Sequence, residues 1–211
     1  NKGHKTIQTA SKSYTNTLAT IKKTMTYIII AVILLIKIVI YVRAENKKKE
    51  AKNITQKQTE QNHYEEMREM AFLASTEQLG LSSIGKDQVY GIISEMDMEG
   101  ATITLATFLN GDASIYFSSG GGVIGAGQHE SVEKIVKEYV KNGQNYLDKG
   151  VKTEKTNLPE NGMGNFNFLT EKGIYKISQS LNNLESGNSE FSNLFVELNE
   201  IINEIRIKSE K

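Results

Sequence analysis

The residues Thr24–Val42 read TMTYIIIAVILLIKIVIYV, and all but Thr24, Thr26 and Lys37 are apolar. As a helix rising ~1.5 Å per residue the run is about 28 Å long, close to the ~30 Å hydrocarbon thickness of a bilayer. Tyr27 and Tyr41 lie near its ends, where an amphipathic ring suits the headgroup level. Lys37 is the one charge inside, and its long stem reaches the nearer interface. The run exceeds a signal-peptide apolar region, and Val42-Arg43-Ala44 is a poor cleavage site. The expectation is therefore a retained single-pass anchor in the lipid bilayer, residues 24–42.

The formal net charge of zero is a cancellation. Residues 1–62 carry twelve Lys and Arg against three acids, a net of +9, and the remainder carries −9. A basic arm is joined to an acidic body. Phosphate contacts need Lys and Arg, so the acidic body is not expected to bind nucleic acid. Lysines flank the apolar run on both sides, so the positive-inside count nearly balances. The Lys47-Lys48-Lys49 cluster, which would rest on anionic lipid, tips the expected location of the body toward the cytoplasm. The chain has no Cys, which excludes disulfides and thiolate chemistry, and its three histidines are scattered.

Four parts follow: a basic N-terminal tail (1–23), a transmembrane helix (24–42), a charged helical linker (43–62) and an acidic α+β domain (63–211). The linker lacks Gly and Pro and is rich in Lys, Glu, Gln and Ala, all good helix formers. It has no apolar heptad, so it reads as a spacer and not as a coiled coil.

In the body, Tyr64, Met67, Met70, Ala71 and Ala74 recur at helical spacing to about Ser75. Strand patterns follow at Val89–Met98, Thr102–Leu109 and Ser114–Ser118. Glu99-Gly100 turns the first pair, and Asn110-Gly111 is expected to form a type I′ turn with positive φ at both positions. A helix is expected from Glu130 to about Leu147, then a hairpin of Asn165–Thr170 and Ile174–Gln179. A loop over Ser180–Ser189 precedes a C-terminal helix with Phe191, Leu194, Phe195, Leu198, Ile201, Ile202 and Ile205 on its apolar face. The order α-β-β-β-α-β-β-α predicts an α+β fold, an antiparallel sheet of about five strands with helices on one face.

The glycine-rich stretch Ser118-Ser119-Gly120-Gly121-Gly122-Val123-Ile124-Gly125-Ala126-Gly127 is the one candidate site, with His129 and Glu130 beside it. Its Gly120–Gly125 spacing matches G-x-G-x-x-G between a strand and a helix, where backbone N–H groups can cradle an anion. A dinucleotide site needs a parallel βαβ unit, however, and this strand ends a meander. No Lys or Arg lies near it before Lys134, and it is not a P-loop. Two readings stay open: a close-packed turn from strand to helix, or a contact for a ligand or partner. His129 with Ser118 or Ser119 lacks the elbow of a serine hydrolase. Asp97 and Glu99 form a solvated turn. No catalytic set, metal or cofactor is expected.

The run from Val89 to Val132 resembles a family of short bacterial proteins of uncharacterised function. Ile115-Tyr116-Phe117-Ser118-Ser119-Gly120-Gly121-Gly122 and Gly125-Ala126-Gly127-Gln128-His129-Glu130 carry the resemblance, and the hairpin NFNFLTEKGIYKIS and terminal helix extend it over about 67–207. It implies no activity. At fold level the layout also resembles roadblock- and profilin-like domains, which implies a scaffold or regulator. These features lead to the expectation of a membrane-anchored, non-enzymatic interaction or regulatory domain with a protein partner. The alternative is a small-ligand sensor or enzyme using the glycine loop and His129.

Overall fold

The computed structural model describes residues 43, 45–49, 52, 56, 59, 61, 63–81 and 84–210. The basic tail, the expected span with Tyr27, Lys37 and Tyr41, and much of the linker lie outside the described residues. Among those described, no helix is long and apolar enough to cross a membrane. The described linker residues are helical and exposed. The chain divides into two compact units, Asn1–Thr55 and Gln56–Lys211, and the fold below is that of the second.

The body opens on a helix, α1 (63–73). Strands β1 (Gly91–Asp97), β2 (Thr102–Phe108), β3 (Ala113–Phe117) and β4 (Gly122–Val123) follow. A 3-10 turn, Ala126–Gln128, leads into α2 (Glu130–Gly143), which tightens into a second 3-10 stretch, Gln144–Lys149. Then come β5 (Val151–Thr153), β6 (Met163–Thr170), β7 (Gly173–Ser180), α3 (Leu181–Glu185) and α4 (Ser192–Ser209). The fold is α+β, and the strands form one antiparallel sheet in the order β4-β3-β2-β1-β6-β7-β5.

Seven strands replace the expected five. The two additions, β4 and β5, are edge strands of two and three residues, too short to show a period of two. Helix α2 ends at Gly143, short of the expected Leu147. The expected loop after Ser180 contains α3.

The two turn signals exchange roles. Glu99 and Gly100 both have positive φ, 44° and 106°, and Met98 and Ala101 bond across them, so the type I′ turn is here. At the expected site only Gly111 has positive φ, 97°. The Gly111 N–H donates to the Phe108 carbonyl at 2.8 Å, and the Phe108 N–H to that of Asp112 at 2.9 Å. That is the three-residue loop with a glycine bulge. The Asn110 side chain supports it, accepting from the Asp112 N–H at 3.0 Å and donating to the Leu79 carbonyl at 3.2 Å.

Alternation along each strand creates two faces, and both are covered. On one face Ile92, Leu105, Ile115, Phe166, Phe168 and Ile177 pack against Val132, Val136, Tyr139 and Val140 of α2 and Leu194, Leu198, Ile201 and Ile205 of α4. Ser94 and the fully buried Tyr139 share a hydrogen bond at 2.8 Å. On the other face Tyr64 and Ala71 of α1 pack on Ile93, Ala106, Phe108, Tyr116 and Leu169. The helices are therefore not confined to one face. α1 covers the reverse side, because Ile93 of β1 and Ala106 and Phe108 of β2 put apolar surface there as well, which cannot be left wet.

Helix α2 approaches the sheet closely at its end. A Cβ on Gly143 would lie 2.4 Å from Ile92 Cδ1 and 3.3 Å from Phe168 Cε1. Gly143→Ala therefore overpacks the core and should cost ~1–3 kcal/mol, read as a lower urea midpoint with an unchanged slope.

Between α2 and α4, Asn142 donates to Glu197 Oε1 at 3.0 Å, while Glu197 Oε2 is buried without a partner. Burial first, then the charges of Glu200 and Glu138, raise the Glu197 carboxyl above its ordinary value against the Asn142 bond. A carboxyl raised by folding binds protons more tightly in the folded state, so stability declines as pH rises from its ordinary value through its folded one. Glu197→Gln should raise the melting temperature at pH 7 and lose that gain as the pH is lowered to the ordinary carboxylate range.

Candidate functional site

The glycine loop turns β3 back along its own edge. Ile115 pairs with Val123 and Tyr116 with Gly122. Gly120, Gly121 and Gly122 have positive φ, 103°, 83° and 156°, a run that residues with a Cβ adopt only with strain. A Cβ on Gly122 would lie 2.3 Å from the Ile115 carbonyl oxygen. Gly127 fits for a similar reason, since a Cβ there would meet the Gly111 carbonyl oxygen at 2.2 Å. Gly125, φ 69°, precedes the 3-10 turn and donates its N–H to Ser114 Oγ at 3.1 Å. Each of these glycines answers a backbone requirement.

The remaining candidates separate. Ser118 Oγ accepts the Thr102 N–H at 2.7 Å and so closes the start of β2. Ser119, His129 and Glu130 are exposed. His129 precedes α2 with extended backbone, and its side chain makes no capping bond. Glu130 and Glu133 occupy the first turn, favourable for the helix dipole. Asp97 accepts the Gly162 N–H at 2.8 Å.

A groove of about 370 Å³ runs between α1 and this loop. Thr59, His63, Tyr64 and Met67 form one wall, and Tyr116, Phe117, Gly120, Gly121, Gly122 and Ile124 form the other. The structure therefore brings Gly120–Gly122 into a concave surface. Ser118, Ser119, Gly125, Gly127, His129 and Glu130 lie outside it. Its histidine is His63, which stands 3.9 Å from Glu66.

The groove exists because α1 is fastened to the sheet by a polar cluster that the sequence reading passed over. Glu95, on central strand β1, has no exposed surface. Arg68 Nε and Nη2 donate to its two oxygens at 2.5 and 3.0 Å, the bidentate fork that suits a carboxylate. Arg68 also donates to the Thr156 carbonyl and lies over the Phe72 ring, 4.8 Å from its centroid. Thr104 donates to Glu95 at 3.3 Å and shares a 2.8 Å bond with the Tyr64 hydroxyl. Asn167 Nδ2 bonds the Ile93 carbonyl at 3.0 Å, leaving its Oδ1 without a partner. Tyr90 donates to the Ala74 carbonyl at 3.0 Å and holds the far end of the helix. Burial raises the Tyr64 and Tyr90 hydroxyls above their ordinary value.

A signal for this cluster was present. Tyr64, Arg68 and Ala71 share helical spacing, and Glu95 falls within the apolar strand GIISEMD. An arginine and an acid, each on a face that must be buried, call for one another.

Among the described residues no cluster of His, Asp and Glu could hold a metal ion. No family model matches the chain, and neither a curated protein nor a solved structure does. The resemblance of Val89–Val132 to the short bacterial proteins stands on its motif alone.

Arg68→Ala leaves a buried carboxylate unpaired and should cost ~3–5 kcal/mol, whereas replacing both partners with leucine should recover most of that loss. Equilibrium denaturation of the single and double variants measures it. Gly122→Ala should lower the melting temperature, by at least ~1 kcal/mol of stability for its positive φ alone. His129→Ala should leave it unchanged. A Gly122→Ala chain as stable as its parent would contradict the packing account of the loop.

Proposed function

We propose that this chain is a membrane-tethered, non-enzymatic interaction or regulatory domain. One contrast carries the reading: the apolar run Thr24–Val42 is joined through a charged linker to an acidic body in which Glu95, Arg68 and Ser118 serve packing. Glu95 and Arg68 seat α1, and Ser118 Oγ accepts the Thr102 N–H. His129 stands exposed outside the groove, and its side chain makes no capping bond. The tether confines the body to the membrane surface, and the basic cluster beyond the span favours the cytoplasmic side. The body's net charge of −9 suits a protein partner and disfavours nucleic acid.

Fractionation of cells carrying the full-length chain tests the tether. The chain should sediment with membranes, resist alkaline wash and be released by detergent, while deletion of residues 1–42 should leave it in the supernatant. A full-length chain that stays soluble without detergent overturns the anchor. Cross-linking the full-length chain in its membrane tests the interaction role. It should yield a defined heterologous adduct, and recovery of the uncross-linked chain alone counts against that role.

A further inference from the structure

We infer that the groove between α1 and the glycine loop is a binding site for a small, uncharged, largely apolar molecule. Its volume of about 370 Å³ falls in the range of small-molecule pockets, ~300–1,000 Å³. Tyr64, Met67, Tyr116, Phe117 and Ile124 supply apolar walls around the three consecutive glycines, where backbone allows close approach. Tyr64 presents its ring and not its hydroxyl, because that hydroxyl is bonded to Thr104 at 2.8 Å.

Among the described residues no Lys, Arg, Asp or Glu lines the groove, and its one titratable side chain besides the tyrosines is His63, which stands at the rim with 71% of its side chain exposed. Between the apolar walls a phosphorylated or otherwise charged ligand would lose water with only the rim residue His63 to answer its charge, and an ion buried without a close partner costs several kcal/mol. An uncharged apolar molecule meets no such penalty and removes apolar surface from water on both walls. The glycine spacing that suggests phosphate binding thus belongs to a site of the opposite polarity.

Both walls are held before any ligand arrives. The Arg68–Glu95 fork fixes α1, and the pairing of Gly122 with Tyr116 and the Phe117 N–H bond to the Gly121 carbonyl at 3.1 Å fix the loop. Little ordering remains to be done on binding. A ligand that touches both walls also stabilises α1 on the sheet, since whatever binds only the docked state favours it.

The test uses the full-length chain in lipid nanodiscs, with empty discs as blank and N-phenyl-1-naphthylamine as the uncharged apolar probe. Saturable fluorescence in excess of the blank is expected. Met67→Trp fills the groove and should weaken the probe at least tenfold with the melting temperature retained. Ile124→Asp changes a side chain that is 68% exposed, so the fold is kept, and it should weaken the probe at least threefold by placing a charge on the wall. Absence of saturable excess overturns the inference, as does parental affinity in Ile124→Asp. Fractionation and cross-linking report on the tether and the partner independently, so failure here leaves those results standing.

Discussion

Glu95 is a carboxylate with no exposed surface in the middle strand of a seven-stranded sheet, and its burial is tolerable only because Arg68 reaches it. A lone buried carboxylate is strongly unfavourable. With both oxygens bonded by one guanidinium and further donors from Thr104 and Asn167, desolvation is largely offset. A pair of this kind adds little net stability compared with an apolar pair. What it adds is position: a fork with two fixed bonds sets the rotation and height of α1 on the sheet. The rest of the reverse face follows, with Tyr64 against Thr104, Phe72 under the guanidinium and Ala71 among the apolar residues.

The two sides of the sheet divide the work. The side covered by α2 and α4 is a continuous apolar core, with the Ser94–Tyr139 hydrogen bond buried within it. The side covered by α1 is smaller and mixed, with polar groups at its centre and a groove at its margin. The groove needs both a helix held in place on the reverse face and a run of residues without side chains opposite it. The first condition comes from the Arg68 clasp, and the second from the glycines that return the chain as β4. A covering helix with an apolar centre would slide more freely and leave the groove ill-defined.

The glycine loop illustrates how one sequence pattern supports two chemistries. Backbone N–H groups between a strand and a helix form an anion cradle when they converge on a helix start. Here the loop first pairs back along β3 and then makes a 3-10 turn, so Gly120–Gly122 and the start of α2 separate. His129 follows the helix and the glycines follow the sheet. Their adjacency in sequence does not become adjacency at a site.

The sequence by itself determined the elements whose periodicity is long enough to read. These are α1, the β1–β2–β3 meander, α2, the β6–β7 hairpin and α4, and with them the α+β class, because a face of regular spacing must be buried whatever covers it. It also determined the charge division between arm and body. The tertiary structure decided what depends on residues far apart in the chain. Two or three residues at β4 and β5 have no period of their own and become strands only because an edge is there to pair with. Positive φ falls at Glu99-Gly100, where β1 and β2 close directly, and at Gly111 alone in the wider turn, because the turns answer the register of the strands they join. Arg68 and Glu95 each carried a sign of burial, but a sequence pattern states only that a charge needs a partner. Which partner it finds is fixed when α1 settles on the reverse face of the sheet.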